Sequence, residues 1–299
     1  MTTVTPVTPE HIDEIHDRIL GWFDRHGRDL PWREESTTPW GVFVSEVMSQ
    51  QTPVARVEPA WRAWMERWPA PADLAADSPG EAVRAWNRLG YPRRALRLHG
   101  AAVAMVERHD GQVPPDEASL LALPGVGAYT AAAVAAFAFG RRATVVDTNV
   151  RRVEARLISG DALPALALTR AETTLATSLL PADDDDAAAW NVASMELGAL
   201  VCTARAPRCE VCPVADLCAW RLAGSPAYDG PARRGQAWAG TDRQVRGRLM
   251  ALLRDSPDPL TGEDLAHAWP DAAQRDRCLA SLIEDDLVEQ DGSRYRLPH

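Results

Sequence analysis

Four of the five cysteines lie close together in the sequence, at a spacing typical of metal-binding loops. Cys202, Cys209, Cys212 and Cys218 are separated by six, two and five residues. In a protein of the cytosol such a cluster favours metal binding over disulfide bonds. Four thiolates bind zinc or hold an iron–sulfur cluster, and the residues by themselves leave both open. We interpret Cys278, which stands apart, as a buried core thiol.

An acidic residue, Glu46, lies within the apolar segment VFVSEVM, residues 42–48. An ionised carboxylate is costly to bury, so we expect burial to raise the pKa of Glu46 toward the range that suits a general acid. Helix geometry alone favours another interpretation, in which Glu46 lies on the solvated face of an amphipathic helix.

A glycine-rich turn, Pro124–Gly127, leads directly into the alanine-rich segment Tyr129–Phe139. Glycine permits a positive φ angle and close approach of another backbone, and alanine favours a helix. The N-terminus of a helix presents unpaired N–H groups and partial positive charge, so this turn suits a phosphate. The alternative, for this turn together with Asp147 further along the chain, is an ordinary helix–turn–helix with a capping Asp.

A second acidic residue, Asp147, follows the extended, apolar pair Val145-Val146. We expect Thr148 or Asn149 to cap the helix that comes next, because short polar side chains accept hydrogen bonds from the first backbone N–H groups of a helix.

The elements that must position these residues are mostly helices. Apolar periodicity and Pro or Gly breaks predict an all-helical unit over about the first 220 residues, with few strand signals. The predicted helices cover residues 9–27, 42–51, 56–68, 78–86, 93–109, 117–123, 129–139, 149–158, 169–180 and 190–201.

The C-terminal part has a different pattern. Residues 222–242 are rich in Gly, Ala and Pro and predict a linker. Three short helices, at 244–253, 262–269 and 273–284, and a hairpin at Asp291-Gly292 then predict a small winged-helix-like domain. This module is acidic, which favours a packing or protein-contact role over DNA reading.

The composition of the 299 residues gives weaker constraints. The net charge of −10 argues against a nucleic-acid partner, but a local excess of arginine decides phosphate binding. Such an excess occurs at Arg84, Arg88, Arg93, Arg94 and Arg97; the alternative is that these side chains only solvate helix faces. There is no apolar run long enough for a membrane span and no secretion signal, so we expect a cytoplasmic protein without membrane contact.

Six short motifs occur together, in one order, over about residues 10–220. They are LPWR (30–33), SEVMSQQT (45–52), LGY (89–91), LPGVGAYTA (123–131), VDTNVRR (146–152) and MELGALVC (195–202) with the cysteines that follow. In this combination the chain resembles the adenine DNA glycosylases of the MutY family, within the helix-hairpin-helix DNA glycosylase superfamily. The resemblance implies an all-α glycosylase domain at residues 1–221 with an iron–sulfur loop at 202–218, then the linker at 222–242 and the winged-helix-like domain at 243–299.

The resemblance implies that the chain is a DNA N-glycosylase that removes adenine mispaired with 8-oxoguanine or guanine in base excision repair. Glu46 matches the acid that protonates the adenine ring, and Asp147 matches the carboxylate that stabilises the cationic sugar. Tyr129 and Asn149 match residues that support these carboxylates. The bifunctional relatives carry a lysine at the position of Tyr129, so the phenol implies a monofunctional enzyme.

The resemblance also implies the partners. The four cysteines match the ligands of a [4Fe–4S] cluster. Gln51 and Tyr91 match side chains that wedge into the duplex where the adenine is extruded. The expected partner is double-stranded DNA, bound by a monomer. The remaining DNA-binding candidates are Gln50, Thr52, Arg33, Gly125 and Gly127.

Several positions depart from the family pattern. Ser49 replaces a common Leu, Pro92 a second Tyr, and Val192 a Gln or Glu expected to touch the adenine. The last 80 or so residues do not resemble the Nudix-like domain that reads 8-oxoguanine in many members. Two alternatives therefore remain: a thymine or uracil mismatch glycosylase of the same fold, and a non-catalytic iron–sulfur protein that binds DNA.

Overall fold

The computed structural model describes residues 9–231 and 238–299, and this part of the chain is mainly helical, as predicted. Every helix predicted from the sequence is present. The helices are α1 (Pro9–His26), α2 (Pro39–Ser49), α3 (Val54–Arg67), α4 (Pro71–Ala76), α5 (Pro79–Trp86), α6 (Arg93–Arg108), α7 (Glu117–Leu121), α8 (Ala128–Phe139), α9 (Thr148–Glu154), α10 (Arg170–Ser178), α11 (Asp184–Leu200), α12 (Ala219–Leu222), α13 (Asp242–Asp255), α14 (Gly262–Ala266) and α15 (Ala272–Glu284). None of them combines the length and apolar character that a membrane crossing requires.

Some boundaries differ from the sequence-based prediction for local reasons. Helix α11 begins six residues earlier than expected, because the side chain of Asp183 accepts hydrogen bonds from the N–H groups of Asp185 and Asp186 and so caps the helix. Helix α9 continues as a π-helical turn, Ala155–Ser159. The short helices α4 and α12 were not predicted; each is only a turn or two long and lacks a clear apolar period.

The chain forms two compact units. Within the described residues, the first unit contains 9–36, 115–117 and 127–231, and the second contains 37–114, 118–126 and 238–299. The predicted division into residues 1–221, 222–242 and 243–299 concerns sequence modules and stays a prediction. Residues 232–237 of the predicted linker lie outside the described residues.

The first unit is organised around α11, which packs against α1, α8 and α9. Its apolar core includes Ile15, Ile19, Trp190 and Leu197, all nearly inaccessible to solvent. Burial of these side chains stabilises the helices by about 1.5–3 kcal/mol each. This core fixes α9, whose N-terminus carries Asp147, against α11 and the cysteine loop that follows α11.

The second unit has a core that is rich in tryptophan. The indole of Trp64 meets those of Trp68 and Trp86 edge-on, at centroid distances of 4.8 and 5.6 Å. The indole N–H of Trp61 donates to the carbonyl oxygen of Gly41, and that of Trp40 to the carbonyl oxygen of Trp68, so two polar atoms are satisfied inside the core. These contacts hold α2, which carries Glu46.

The C-terminal module belongs to the second unit. Its strands β1 (Leu260–Thr261), β2 (Glu289–Asp291) and β3 (Arg294–Arg296) form an antiparallel sheet in the order β1-β3-β2, and α13 to α15 complete the winged-helix arrangement. The predicted hairpin at Asp291-Gly292 is therefore present.

The module packs on helix α5. The Arg84 guanidinium donates to the carbonyl oxygen of Ser256 at 3.1 Å and to that of Arg254. A Cβ atom at Gly80 would lie 2.2 Å from the carbonyl oxygen of Pro298, so only glycine allows this approach. Asp285 pairs with Arg93 of α6 at 3.0 Å. The module thus contacts α5 and α6, and the preference for a packing or protein-contact role over DNA reading stays a prediction.

Candidate active site

Asp147 is the N-cap residue of helix α9. Its Oδ1 atom accepts hydrogen bonds from the backbone N–H groups of Asn149 and Val150, both at 2.7 Å. Its Oδ2 atom accepts one from the Asn149 side-chain amide at 2.8 Å. The expectation that Thr148 or Asn149 caps this helix was wrong, because the helix already begins at Thr148 and the preceding side chain is the one in reach of its first N–H groups.

The environment of Asp147 places two opposing influences on its carboxylate. Burial raises the pKa of Asp147, and the hydrogen bonds from Val150 and Asn149 and the charge of Arg152 lower it; burial prevails, so the pKa lies above its usual value. A carboxylate in this position is poorly hydrated but held by fixed donors at a helix N-terminus. This is a good environment for an anion that must face a developing positive charge.

Asn149 is itself held by Arg152. The Arg152 Nη2 atom donates to Asn149 Oδ1 at 2.7 Å and to the carbonyl oxygen of Gly198 at 2.6 Å. A Cβ atom at Gly198 would lie 2.7 Å from the Cβ of Asn149. Helix α11 can therefore pack this closely against Asn149 only because residue 198 is a glycine. The Arg152 Nε atom donates to the carbonyl oxygen of Cys202 at 2.6 Å. One guanidinium therefore connects the support of Asp147 to the first cysteine.

The four clustered cysteines line one cavity, together with Arg156 and Trp220. None of the four takes part in a disulfide bond with another described cysteine. Burial and the three neighbouring thiols together raise the pKa of Cys212 to about 11, although the backbone N–H of Val214 lowers it. Ionised thiolates are costly to bury and repel one another. Such a group of thiols therefore loses its protons only when a strongly cationic partner binds.

The four sulfur atoms surround one cavity, and a guanidinium group is part of the same lining. Arg156 donates to Cys202 Sγ at 3.4 Å and lies over the Trp220 ring at 4.8 Å, and hydrogen bonds to sulfur of this kind tune clusters.

In the second unit, Glu46 lies on α2 and is 8% exposed. Of the two interpretations of the sequence, burial is therefore the one that the structure supports. The candidates Gln50, Gln51 and Thr52 follow immediately, where α2 ends.

Two exposed side chains of this unit have unusual backbone angles. Gln51 has φ = +54° and Tyr91 has φ = +48°, and the Tyr91 side chain is 51% exposed. Non-glycine residues adopt such angles rarely and at a cost, and such residues are often found at functional sites. Both belong to the predicted wedge.

The glycine-rich turn lies beside α6. Gly125 has φ = +75°, and a Cβ atom there would lie 2.5 Å from the Cβ of Arg97, so this turn requires glycine. Gln50, Arg97 and Gly125 line one shallow cavity, so α2, α6 and the turn meet at one surface of the second unit. Apart from its chain neighbours, no described residue has a heavy atom within 4 Å of the position that a Cβ atom of Gly127 would take.

Comparison with known proteins identifies the family. Residues 44–175 match the model of the HhH-GPD superfamily base excision DNA repair proteins, and residues 202–218 match the iron–sulfur binding domain of endonuclease III. The adenine DNA glycosylase of Mycobacterium tuberculosis is 52% identical over 97% of this chain and 95% of its own length. The chain belongs to the adenine DNA glycosylase family.

Two solved structures are similar in fold. A thermostable thymine-DNA glycosylase covers 71% of this chain and 97% of its own, with 28% identity and a TM-score of 0.64. A non-covalent complex of endonuclease III with DNA covers 73% of this chain and 98% of its own, with 25% identity and a TM-score of 0.61. The helix-hairpin-helix fold predicted from the sequence is confirmed, and the cysteines form the loop of a [4Fe–4S] cluster.

Within this family assignment, Arg33 has an unexpected environment. Its guanidinium donates to Glu196 Oε2 at 3.0 Å, and Arg28 donates to Oε1 of the same carboxylate at 2.6 Å. The Glu196 side chain is 1% exposed. Burial by itself would raise the pKa of Glu196, but Arg28 and Arg33 outweigh burial and hold it at about 2. The DNA-binding role of Arg33 stays a prediction; the ion pair is what the structure adds.

The run of arginines in the second unit is only partly a basic face. Arg94 is buried at 6% exposure, Arg84 binds the C-terminal module and Arg93 pairs with Asp285. Arg88 and Arg97 are exposed. Arginines close in sequence thus serve different purposes, and sequence reasoning missed the structural ones because neither a period nor a motif marks them.

Proposed function

We propose that this member of the adenine DNA glycosylase family removes adenine mispaired with 8-oxoguanine or guanine from duplex DNA. Glu46 and Asp147 act on the same extruded nucleotide, one as an acid and the other as an anion. The observation that carries the proposal is the state of Asp147: a carboxylate at a helix N-terminus, fixed by three hydrogen bonds and poorly hydrated.

Glu46 supplies the proton. Cleavage of the bond between adenine and deoxyribose requires that negative charge on the departing base be neutralised, and protonation of a purine ring nitrogen does this. A carboxyl group that is 8% exposed among apolar side chains is shielded from bulk water, which favours its neutral form. Its position on the rigid helix α2 limits the directions in which it can donate.

Asp147 stabilises the cation. As the base departs, the sugar acquires oxocarbenium character, and a nearby carboxylate lowers the energy of that state or forms a transient adduct. The hydrogen bonds from Asn149 and Val150 keep both oxygens oriented before the reaction, so little reorganisation is needed. The division of labour between one neutral and one ionised carboxyl group is the general pattern of glycosidic cleavage.

Gln51 and Tyr91 offset the cost of extrusion. Removing a base from the stack costs a few kcal/mol, and side chains inserted in its place compensate. Both residues are exposed, and the strained backbone under each of them aims the side chain outward. Gln50 and Gly125 line the adjoining cavity, where the DNA backbone binds, and Arg97 lends it positive charge.

The enzyme is monofunctional. A lyase requires an amine that forms a Schiff base with the sugar, and Tyr129 provides a phenol. We therefore expect that borohydride does not attach this protein covalently to abasic DNA. Endonuclease III, treated in parallel, should become attached. Efficient trapping of this protein would contradict the assignment.

Specificity for adenine rests on Glu46, because an acid is suited to a purine ring nitrogen and a thymine or uracil glycosylase has less need of one. The C-terminal module does not resemble the Nudix-like domain that reads 8-oxoguanine in many members, so the preference between 8-oxoguanine and guanine is left to the mispair panel below. We expect the enzyme to work as a monomer in the cytoplasm.

A panel of duplexes tests the function. Each duplex carries one mispair, is incubated with wild type, Glu46→Gln or Asp147→Asn, and is cleaved at abasic sites with alkali. We expect cleavage at adenine opposite 8-oxoguanine or guanine by wild type, and a loss of about 100-fold or more in either variant. Glu66→Gln, at an exposed position of α3, serves as the matched control. Cleavage at thymine or uracil but not at adenine would overturn the proposal.

A further inference from the structure

Arg94 connects the two loops that carry Gln51 and Tyr91. Its Nη1 atom donates to carbonyl oxygens at the end of α2 and just beyond: those of Val47 at 2.9 Å, Met48 at 3.2 Å and Gln50 at 2.5 Å. Its Nη2 atom donates to Thr52 Oγ1 at 3.1 Å and to the carbonyl oxygen of Gly90 at 3.2 Å. Thr52 directly follows Gln51 in one loop, and Gly90 directly precedes Tyr91 in the other.

This guanidinium is unusual because its partners are carbonyl and hydroxyl oxygens. It is 6% exposed, and in the described part of the chain its acceptors are four carbonyl oxygens and one hydroxyl oxygen, none of them a carboxylate. Burial lowers the pKa of Arg94 to about 10, and the rings of Trp86 and Tyr91 lie 5.3 and 5.4 Å from it. A buried cation without a counter-ion is costly, so it persists only where other groups compensate. The carbonyl oxygens at the C-terminus of α2 carry partial negative charge and provide that compensation.

The acceptors are adjacent to the strained residues. Gln50 directly precedes Gln51, and Gly90 directly precedes Tyr91; both followers have positive φ angles. Such a conformation costs on the order of 1–3 kcal/mol and persists only when its surroundings determine it. The two peptide units that lead into these residues are fixed by the same side chain.

We propose that Arg94 is a positioning residue that holds Gln51 and Tyr91 in one rigid arrangement before DNA binds. The proposal rests on the proposed function, in which these two side chains enter the duplex. Lysine would retain the charge, but its single ammonium cannot reach acceptors on both loops with the geometry of a planar guanidinium. The effect of Arg94 therefore reaches the reaction through extrusion and leaves the chemical step itself unchanged.

The test uses the full chain with its iron–sulfur cluster and compares wild type with Arg94→Lys. A 2-aminopurine placed next to the mispaired adenine reports extrusion by stopped-flow fluorescence, and single-turnover assays report base removal. We expect both rates to fall by about tenfold or more in Arg94→Lys. Arg108→Lys, at an exposed position of the same helix, is the matched control and should match wild type.

A second substrate separates positioning from general damage. Adenine opposite an abasic site lacks a pairing partner and needs less help to leave the stack, so the defect of Arg94→Lys should shrink several-fold there. In a Tyr91→Ala background, Arg94→Lys should add little, because both changes disable the same wedge. An equal loss on both substrates, or additive losses in the double variant, would overturn the proposal.

Two further arms keep the result interpretable. If Arg94→Lys does not fold, Thr52→Val removes one acceptor at nearly constant volume and should give a smaller defect of the same kind; an unchanged extrusion rate in it would count against the proposal. The reporter is placed beside whichever base wild type removes in the mispair panel. A failure of the proposed function therefore appears in wild type, and a failure of the Arg94 proposal appears only in the variants.

Discussion

The Nε atom of Arg152 lies 2.6 Å from the carbonyl oxygen of Cys202, while its Nη2 atom lies 2.7 Å from Oδ1 of Asn149. Asn149 in turn donates to Asp147. The Arg152 guanidinium thus connects the cysteine loop, through Asn149, to the Asp147 carboxylate that we assign to the reaction. Since charge-assisted hydrogen bonds of this kind are short and directional, the loop and the carboxylate constrain each other's position.

Replacing Arg152 by Gln should lower base removal without abolishing folding. The shorter amide cannot reach Asn149 and Cys202 together, so Asp147 loses the support of Asn149. We expect a single-turnover rate reduced by about 10- to 100-fold, measured on a duplex with a mispaired adenine. The visible absorbance of the cluster should also decline faster in air. Arg141→Gln, at an exposed position, is the control; a variant indistinguishable from it would show that this connection is not needed.

Replacing Glu154 by Gln should stabilise the protein increasingly as the pH rises above 4.5. Burial, reinforced by Glu172 and Asp147, raises the pKa of Glu154 from 4.5 to about 8, and its Oε2 atom has no hydrogen-bond partner. Between these two values the unfolded chain is ionised and the folded one is not, so stability falls as the pH rises from 4.5 and the full cost is present above about 8.

Thermal unfolding at two pH values measures this effect. At pH 9 the melting temperature of Glu154→Gln should exceed that of wild type, by about 2–4 °C for each kcal/mol gained. At pH 4.5 the two proteins should unfold together, and the exposed control Glu107→Gln should match wild type at both. A variant that is less stable at pH 9 would contradict the buried, neutral state of Glu154.

Replacing Glu196 by Gln should destabilise the protein near neutral pH. Its buried carboxylate compensates Arg28 and Arg33, which are partly exposed, and its removal costs about 1–3 kcal/mol. Because the pKa of Glu196 is lowered from 4.5 to about 2, the stabilisation is present above 4.5 and is lost as the pH falls toward 2. Urea unfolding at pH 7 and pH 3 checks both statements: the difference from wild type should be large at the first and smaller at the second.

The purified protein should be brown, with broad visible absorbance and bound iron and sulfide. Cys212→Ser should lose both the absorbance and the iron, since an alkoxide replaces thiolate poorly at such a site. Cys278→Ser should keep them, because Cys278 lies on α15 and is not among the cysteines that line the cavity. A colourless protein that contains zinc would refute the cluster assignment.

The sequence by itself determined the helices, the cysteine loop and the family. These depend on signals that act over a few residues: apolar periodicity, Pro and Gly breaks, fixed cysteine spacing and short motifs in one order. Helix α8 after the Pro124–Gly127 turn is an example, since both the turn and the alanine-rich helix follow from local conformational preferences.

Only the tertiary structure decided how individual polar side chains are used. It buried Glu46, which helix geometry alone placed on a solvated face, and it made Asp147 the cap of α9 in place of Thr148 or Asn149. It also buried the Arg94 side chain. Burial and hydrogen-bond partners depend on residues far apart in the chain, such as Arg94 with Val47, and no local pattern in the sequence records which helix face will be covered.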